Sequence, residues 1–262
     1  MQSSPKTGAD SEKKPLKFRL IRWIANRIFP DYSVFGAENL PEDPCVIVGN
    51  HAQIYGPLAA ELRLPRGART WCIGEMMDRK EVPDYAFGEF WSGKPRRLHW
   101  YYRAASYAIA RPVSFVLSSA STIPVYHDQR IITTFRRSVQ TLEEGKDVVI
   151  FPEKHEPYNG ILCQFQEHFA DLARLYYRRT GTAIAFVPMY TAPRLKGLYF
   201  GKPVRFMPEN SDEEERKRIC AAMQRGITEL AVALPRHTVV PYENIPKDQY
   251  PENVDNPDAG AL

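Results

Sequence analysis

Short apolar runs alternate with helical patterns along most of the chain. CVIVG (45–49), RTWCIG (69–74), STIPVY (121–126), DVVIFP (147–152), AIAFVPMY (183–190) and PVRFM (203–207) are five to eight residues long and rich in β-branched side chains. That is the pattern of buried strands. Between them, helical spacing covers about 96–118, 131–144, 161–180 and 212–233. Glu143, Glu144 and Gly145 end one helix in a loop that feeds directly into DVVIFP. Alternating strands and helices predict an α/β domain with a mainly parallel central sheet flanked by helices.

The two ends read differently. Residues 1–12 are polar and read as a disordered tail. Residues 13–30, KKPLKFRLIRWIANRIFP, repeat Leu16, Leu20, Ile24 and Ile28 every four positions. Six Lys or Arg and no acid fall between Lys13 and Arg27. This is the signature of a basic amphipathic helix lying in a membrane interface. The body of the domain spans 31–234, and 235–262, rich in Pro and Asp, reads as a surface tail.

Composition narrows the class. With 262 residues and 44% hydrophobic side chains, the chain can bury a core of its own. A formal charge of +4 is too mild to indicate nucleic acid. No clean apolar run of about 20 residues is present. Cys45, Cys72, Cys163 and Cys220 have no metal-ligand spacing and read as reduced thiols, which fits a cytoplasmic setting. No metal or bound cofactor is expected.

A second basic segment changes the picture. In FGEFWSGKPRRLHWYYRAASYAIAR (87–111), Lys94, Arg96, Arg97, Arg103 and Arg111 are interleaved with Phe90, Trp91, Trp100, Tyr101 and Tyr102. Basic side chains attract anionic headgroups, while Trp and Tyr settle at the polar–apolar boundary. The same mixture stacks on single-stranded nucleic acid, but no RNA-binding motif accompanies it. The expected partner is a membrane surface with anionic lipids, at the inner face of the cell membrane; nucleic acid is not expected.

Candidate chemistry collects where strands end. In open parallel sheets, ligands bind beyond the carboxyl ends of the strands. Asn50-His51 follows CVIVG, Pro152-Glu153 follows DVVIF, and Pro188 interrupts AIAFVPMY. A His just past a strand is well placed as a general base.

GAENLPEDPCVIVGNH resembles the opening of the PlsC-like glycerolipid acyltransferases (lysophospholipid or 1-acylglycerol-3-phosphate acyltransferases), which carry Asn-His-x-x-x-x-Asp at this point. STIPVYHDQR is similar to the family's second block, FPEKHE in part to its Phe-Pro-Glu-Gly-Thr-Arg block, and VPM (187–189) to its Val-Pro block. The resemblance runs over about 15–230. It implies the glycerolipid acyltransferase fold and direct acyl transfer from an acyl-CoA or acyl-carrier-protein thioester to a lipid hydroxyl. His51 would be the base, with Asn50, Gln53, Tyr55 and Gly56 around it. Glu153 and Pro152 would shape the acceptor site, Arg130 and Lys154 would bind an anionic headgroup, and Pro188 would close a strand beside them.

The departures from the pattern are specific. Gly56 stands where the family has the Asp that orients the imidazole. Lys154, His155 and Glu156 replace Gly-Thr-Arg, which removes a phosphate-binding Arg, and His127 is nearer than Arg130 to the usual second-block Arg. Three readings follow. Another group orients His51 (Glu153, Glu156, Glu75 or a main-chain carbonyl); or the acceptor is not a phosphate monoester; or the chain is a non-catalytic lipid-binding protein with a retired site.

Overall fold

A computed structural model describes residues 15–120, 122–126 and 128–254. Lys13, Lys14, Ser121, His127 and the 1–12 tail lie outside the described residues. The strands are β1 (Ser33–Phe35), β2 (Val46–Gly49), β3 (Ala68–Ile73), β4 (Thr122–Val125), β5 (Asp147–Ile150), β6 (Glu153–Pro157), β7 (Cys163–Phe165), β8 (Ala185–Ala192), β9 (Gly197–Phe200) and β10 (Val204–Arg205). The α-helices are α1 (Leu16–Ile28), α2 (Tyr55–Arg63), α3 (Val82–Ala86), α4 (His99–Ser119), α5 (Ile131–Glu143), α6 (Asp171–Thr180) and α7 (Asp212–Val232). The chain divides into two compact units.

The first unit holds Pro30–Ala68 and residues from 138 onward. Its strands run in the order β1-β9-β8-β2-β5, and β10 also pairs with β8. β2 is parallel to both β5 and β8, with Val48 opposite Ile150 and Pro188. β9 and β10 are antiparallel to β8. Every residue of β2, β5 and β8 is buried, which is why their sequences are continuous apolar runs rather than alternating ones.

Helix α7 packs on β8. Ser211 and Glu214 form a reciprocal capping box at its start, and Ile219, Met223, Ile227 and Ala231 recur every four residues on its buried face. Pro188 lies on β8 between the stretches that pair with β10 and β9, so its missing N–H falls where no ladder bond is required. A Cβ on Gly226 would come within 2.8 Å of the Pro188 ring, which explains a glycine inside a long helix.

Asp147 opens β5 almost wholly buried. Its Oδ1 accepts from the Cys45 N–H at 2.9 Å and from Arg66 Nη2 at 2.6 Å. This buried ion pair fixes the starts of β2 and β5.

The second unit holds residues 15–29 and Arg69–Arg137. β3 and β4 pair in parallel, and α3 packs on α4 around Val82, Ala86 and Ala110. Of α1, only Phe18 is buried; Leu16, Leu20, Ile24 and Ile28 are 78%, 57%, 42% and 78% exposed, so this stripe contributes nothing to the core. Phe90, Trp100, Tyr101 and Tyr107 are also exposed, whereas Trp91 stacks on Tyr102 at 5.8 Å. No described helix is long and apolar enough to cross a membrane.

Two sequence expectations are corrected. Residues 161–180 are not one helix: Cys163–Phe165 form β7, hairpinned to β6, and the α-helix begins only at Asp171. The stretch from Pro235 is not a trailing tail. Val239, Val240, His237 and Asn253 are buried, and Thr238 bridges to Glu252.

Candidate active site

Because β2 and β5 are parallel and in register, the residues after Gly49 and after Ile150 emerge side by side. Asn50 comes first. Its Oδ1 accepts from the Thr191 N–H at 2.7 Å, and its Nδ2 donates to the Thr191 carbonyl at 3.1 Å. Both ends of the amide therefore extend the β2–β8 ladder by one rung, and the side chain is buried.

The chain then reverses sharply. Ala52 and Gln53 have φ of 45° and 55°, left-handed values that cost an L-residue about 1–2 kcal/mol each. The turn closes with Tyr55 N–H to Ala52 O at 3.1 Å and Gly56 N–H to His51 O at 3.0 Å. Strain of this kind concentrates at functional sites, and here it carries His51.

The ring of His51 has a defined tautomer. Nδ1 is hydrogen-bonded to the Gln53 carbonyl. A carbonyl oxygen only accepts, so Nδ1 carries the proton and Nε2 keeps its lone pair. Phe151 and Tyr242 meet the ring edge-on, at 5.5 and 5.4 Å. Burial lowers the His51 pKa from its ordinary value, against the opposing pull of main-chain hydrogen bonds. The imidazole is therefore neutral at pH 7. Its orienting partner is a main-chain carbonyl.

Glu153 does something other than hold that ring. Its Oε1 accepts from the main-chain N–H of His51 at 2.6 Å and its Oε2 from that of Cys163 at 2.9 Å. The carboxyl thus ties the β2 turn to the β6–β7 hairpin. Burial pushes its pKa up to about 7, while the two N–H donors pull the other way. Pro152, buried beside it, accepts from Gln166 N–H at 2.9 Å.

Gly56 sits in the first turn of α2 with no room for a side chain. An added Cβ would lie 2.6 Å from the His51 carbonyl oxygen, 2.7 Å from that of Asn50 and 3.0 Å from the Phe151 ring. The glycine allows the turn to fold back onto α2. Tyr55, half-buried, opens that helix.

The remaining expected residues have other partners or belong to the second unit. Lys154 Nζ pairs with Glu156 at 2.7 Å. Pro188 is a packing residue of the sheet. Arg130 belongs to the second unit, as does Glu75. There its guanidinium takes two hydrogen bonds to Asp128, at 2.9 and 3.1 Å, approaches Glu81 at 3.4 Å and Glu75 at 3.8 Å, and lies over the Tyr126 ring.

Sequence reasoning missed a group of residues around His51. Tyr242 touches both His51 and the His155 ring, the latter at 4.8 Å. Glu243 Oε1 lies 3.7 Å from His155 Nδ1, and Tyr250 accepts from Gln53 Nε2 at 2.8 Å. The apolar pair Val239-Val240 and the two tyrosines inside a Pro-rich stretch were the available signal. Among the described residues, no group of three or more His, Cys, Asp or Glu is placed to hold a metal ion.

No family model matches the chain, and no curated protein matches it. Among solved structures, it is similar to the crystal structure of the 1-acyl-sn-glycerophosphate (LPA) acyltransferase PlsC from Thermotoga maritima. The identity is 18%, the match covers 81% of this chain and 79% of that one, and the TM-score is 0.45.

Proposed function

We propose that the protein transfers a fatty acyl group from an acyl thioester, acyl-CoA or acyl-carrier protein, to a hydroxyl of a membrane lipid. The observation that carries this reading is the His51 tautomer: a neutral imidazole at a strand end, with Nδ1–H bound to a carbonyl and Nε2 available as a base. Nε2 takes the proton of the acceptor hydroxyl as its oxygen attacks the thioester carbonyl. The tetrahedral intermediate then collapses, the C–S bond breaks, and the departing thiolate receives that proton from the imidazolium. Neither an acyl-enzyme nor a metal enters this route. Asn50 and Glu153 hold the turn that carries the base.

The acceptor in this reading is a lipid without a phosphate monoester. The two cations expected to grip a phosphate, Arg130 and Lys154, are already paired with carboxylates, and an added dianion would have to compete with them. The exposed apolar stripe of α1 and the exposed aromatics of α4, with their Arg neighbours, serve in the same reading as the contact with an anionic membrane surface.

One observation favours a second reading, a lipid-binding protein with a retired site: among the described residues, the imidazole Nδ1 is bound to a carbonyl rather than to a carboxylate that would stabilise its charged form. The two are separated by incubating purified full-length protein with labelled acyl-CoA or acyl-carrier protein and a total membrane lipid extract. His51→Ala is run alongside. General-base catalysis is worth about 10²–10⁴ in rate, so label should enter a lipid in the wild type and fall by that factor in the variant. Full activity of His51→Ala removes His51 as the base. Folded, lipid-bound wild type with no His51-dependent label from either donor establishes the retired site.

A further inference from the structure

We propose that residues 237–254 form a strap that positions the His51 imidazole, with Tyr242 bearing on the ring and Tyr250 bracing the turn beneath it. The inference rests on the reading of His51 as a base.

The strap is pinned at both ends. His237 N–H donates to Asn253 Oδ1 at 2.8 Å, Asn253 N–H to the His237 carbonyl at 3.0 Å, and Val239 N–H to the Pro251 carbonyl at 2.8 Å. The closed loop is anchored to the core through His237 Nε2 and Tyr190 Oη, 2.9 Å apart, and through Asn253 Nδ2, which donates to the Ala231 carbonyl at 2.8 Å. Buried anchors of this kind give the loop a fixed place.

From that place it makes two contacts with the catalytic turn. The Tyr242 ring lies edge-on to the imidazole at 5.4 Å, opposing the freedom that a single hydrogen bond at Nδ1 leaves to χ2. Tyr250 Oη accepts from Gln53 Nε2 at 2.8 Å, and the Glu243 carbonyl lies 3.4 Å from the same nitrogen. Gln53 is the residue whose carbonyl holds Nδ1, and its backbone is left-handed. A strained residue keeps its geometry only when its surroundings over-determine it, and here the side-chain bonds to the strap supply that constraint. In a site with no carboxylate on the imidazole, orientation comes from a carbonyl braced by the strap and from an aromatic edge.

The test uses full-length protein labelled with ¹⁵N at histidine, and reads the tautomer and titration of His51 by NMR. Acyl transfer is measured separately. Tyr242→Ala should move the His51 pKa upward toward the ordinary ~6.5, because the burial that depresses it is partly removed. Tyr250→Phe should reduce the fraction of the Nδ1–H tautomer. Tyr242→Phe, which keeps the ring, should restore wild-type behaviour. An aromatic edge contact of ordinary strength corresponds to roughly 2- to 10-fold, so kcat should fall by about that factor in Tyr242→Ala with KM unchanged. Tyr242→Leu replaces the alanine variant if that one fails to fold.

Unaltered His51 pKa and tautomer in the folded Tyr242 and Tyr250 variants overturn the proposal, as does a rise in kcat, which would make the strap a cover. If wild type transfers no acyl group, the acyl-transfer reading fails while the NMR result still decides the role of the strap.

Discussion

Replacing Gly56 with Asp restores the residue that the resembling family carries, and the structure predicts that it damages the protein. The φ of Gly56 is not left-handed, so an L-residue meets no backbone penalty. The obstacle is space. A Cβ would stand 2.6 and 2.7 Å from two main-chain carbonyl oxygens, and main chain cannot rotate aside as a side chain can. Overpacking costs about 1–3 kcal/mol, and two backbone clashes place this site at the upper end. Gly56→Ala isolates the effect: alanine regains about 1 kcal/mol of helix propensity, leaving a net loss of roughly 2 kcal/mol. For a chain of this size that is a fall of about 4–8 °C in Tm. Aspartate adds charge beside two carbonyl oxygens and should be worse. Because the displaced carbonyls belong to Asn50 and His51, acyl transfer should fall as well. Thermal unfolding and acyl-transfer rates of both variants check this. Gly56→Asp with wild-type Tm and increased activity would refute the packing of the turn and show that a carboxylate at 56 reaches the imidazole.

Arg66→Ala should destabilise by about 3–5 kcal/mol, because it leaves the Asp147 carboxylate buried without its partner; an unchanged urea midpoint would contradict that. Gly226→Ala should destabilise by up to about 2 kcal/mol, the overpacking against the Pro188 ring less the ~1 kcal/mol gained in helix propensity; a higher Tm would show that α7 can shift. Glu153 should make stability depend on pH. Its folded pKa of about 7 lies above the unfolded value of about 4.3. Its contribution is therefore fully present below about pH 4.3 and is lost as pH rises through 7, by roughly 4 kcal/mol. His51 acts in the opposite sense: its lowered pKa gives stability that is present above about pH 6.5 and lost as pH falls toward the depressed value. Urea titrations of wild type against Glu153→Gln from pH 4 to 8 separate the two. A difference that does not vary with pH would mean that the two N–H donors keep Glu153 ionised throughout.

The parts of this fold legible in the sequence are those whose burial is continuous. CVIVG and DVVIFP read as strands because β2 and β5 are covered on both faces, and 212–233 reads as a helix because one face of α7 is apolar at every fourth position. The parts that were missed are held by something periodicity does not record. β7 has three residues in an alternating stretch, and it exists because its hairpin partner carries Glu153, which bonds its main chain. Helix α2 carries Gly56-Pro57 in its first turn, a pair that breaks a helical pattern in sequence, yet a proline in the first helical turn removes only an N–H that has no intrahelical partner. The 237–254 stretch reads as a tail because its prolines break every period, and its attachment comes from long-range bonds of His237 and Asn253. The catalytic candidate itself, His51, was legible from its position after a strand. What orients it was not, because a main-chain carbonyl two residues away leaves no signature in side chains.

A carbonyl in place of a carboxylate changes the base in a definite way. A triad carboxylate fixes the tautomer and also stabilises the imidazolium that forms when the proton is taken, and its loss costs about 10⁴ where the wrong tautomer results. The Gln53 carbonyl fixes the tautomer, so that part of the penalty is avoided. What is lost is the charge–charge stabilisation, and burial adds to the loss by lowering the pKa. The lowered pKa favours the base form, but each proton transfer is less favourable than to an ordinary imidazole. Such a base suits a reaction whose electrophile is already activated. A thioester meets that condition: its leaving thiolate is weakly basic compared with an alkoxide, so the carbonyl accepts attack with less help. The same imidazole would be poorly matched to an unactivated amide. A neutral imidazole of lowered basicity is thus compatible with the thioester donor of the proposed reaction.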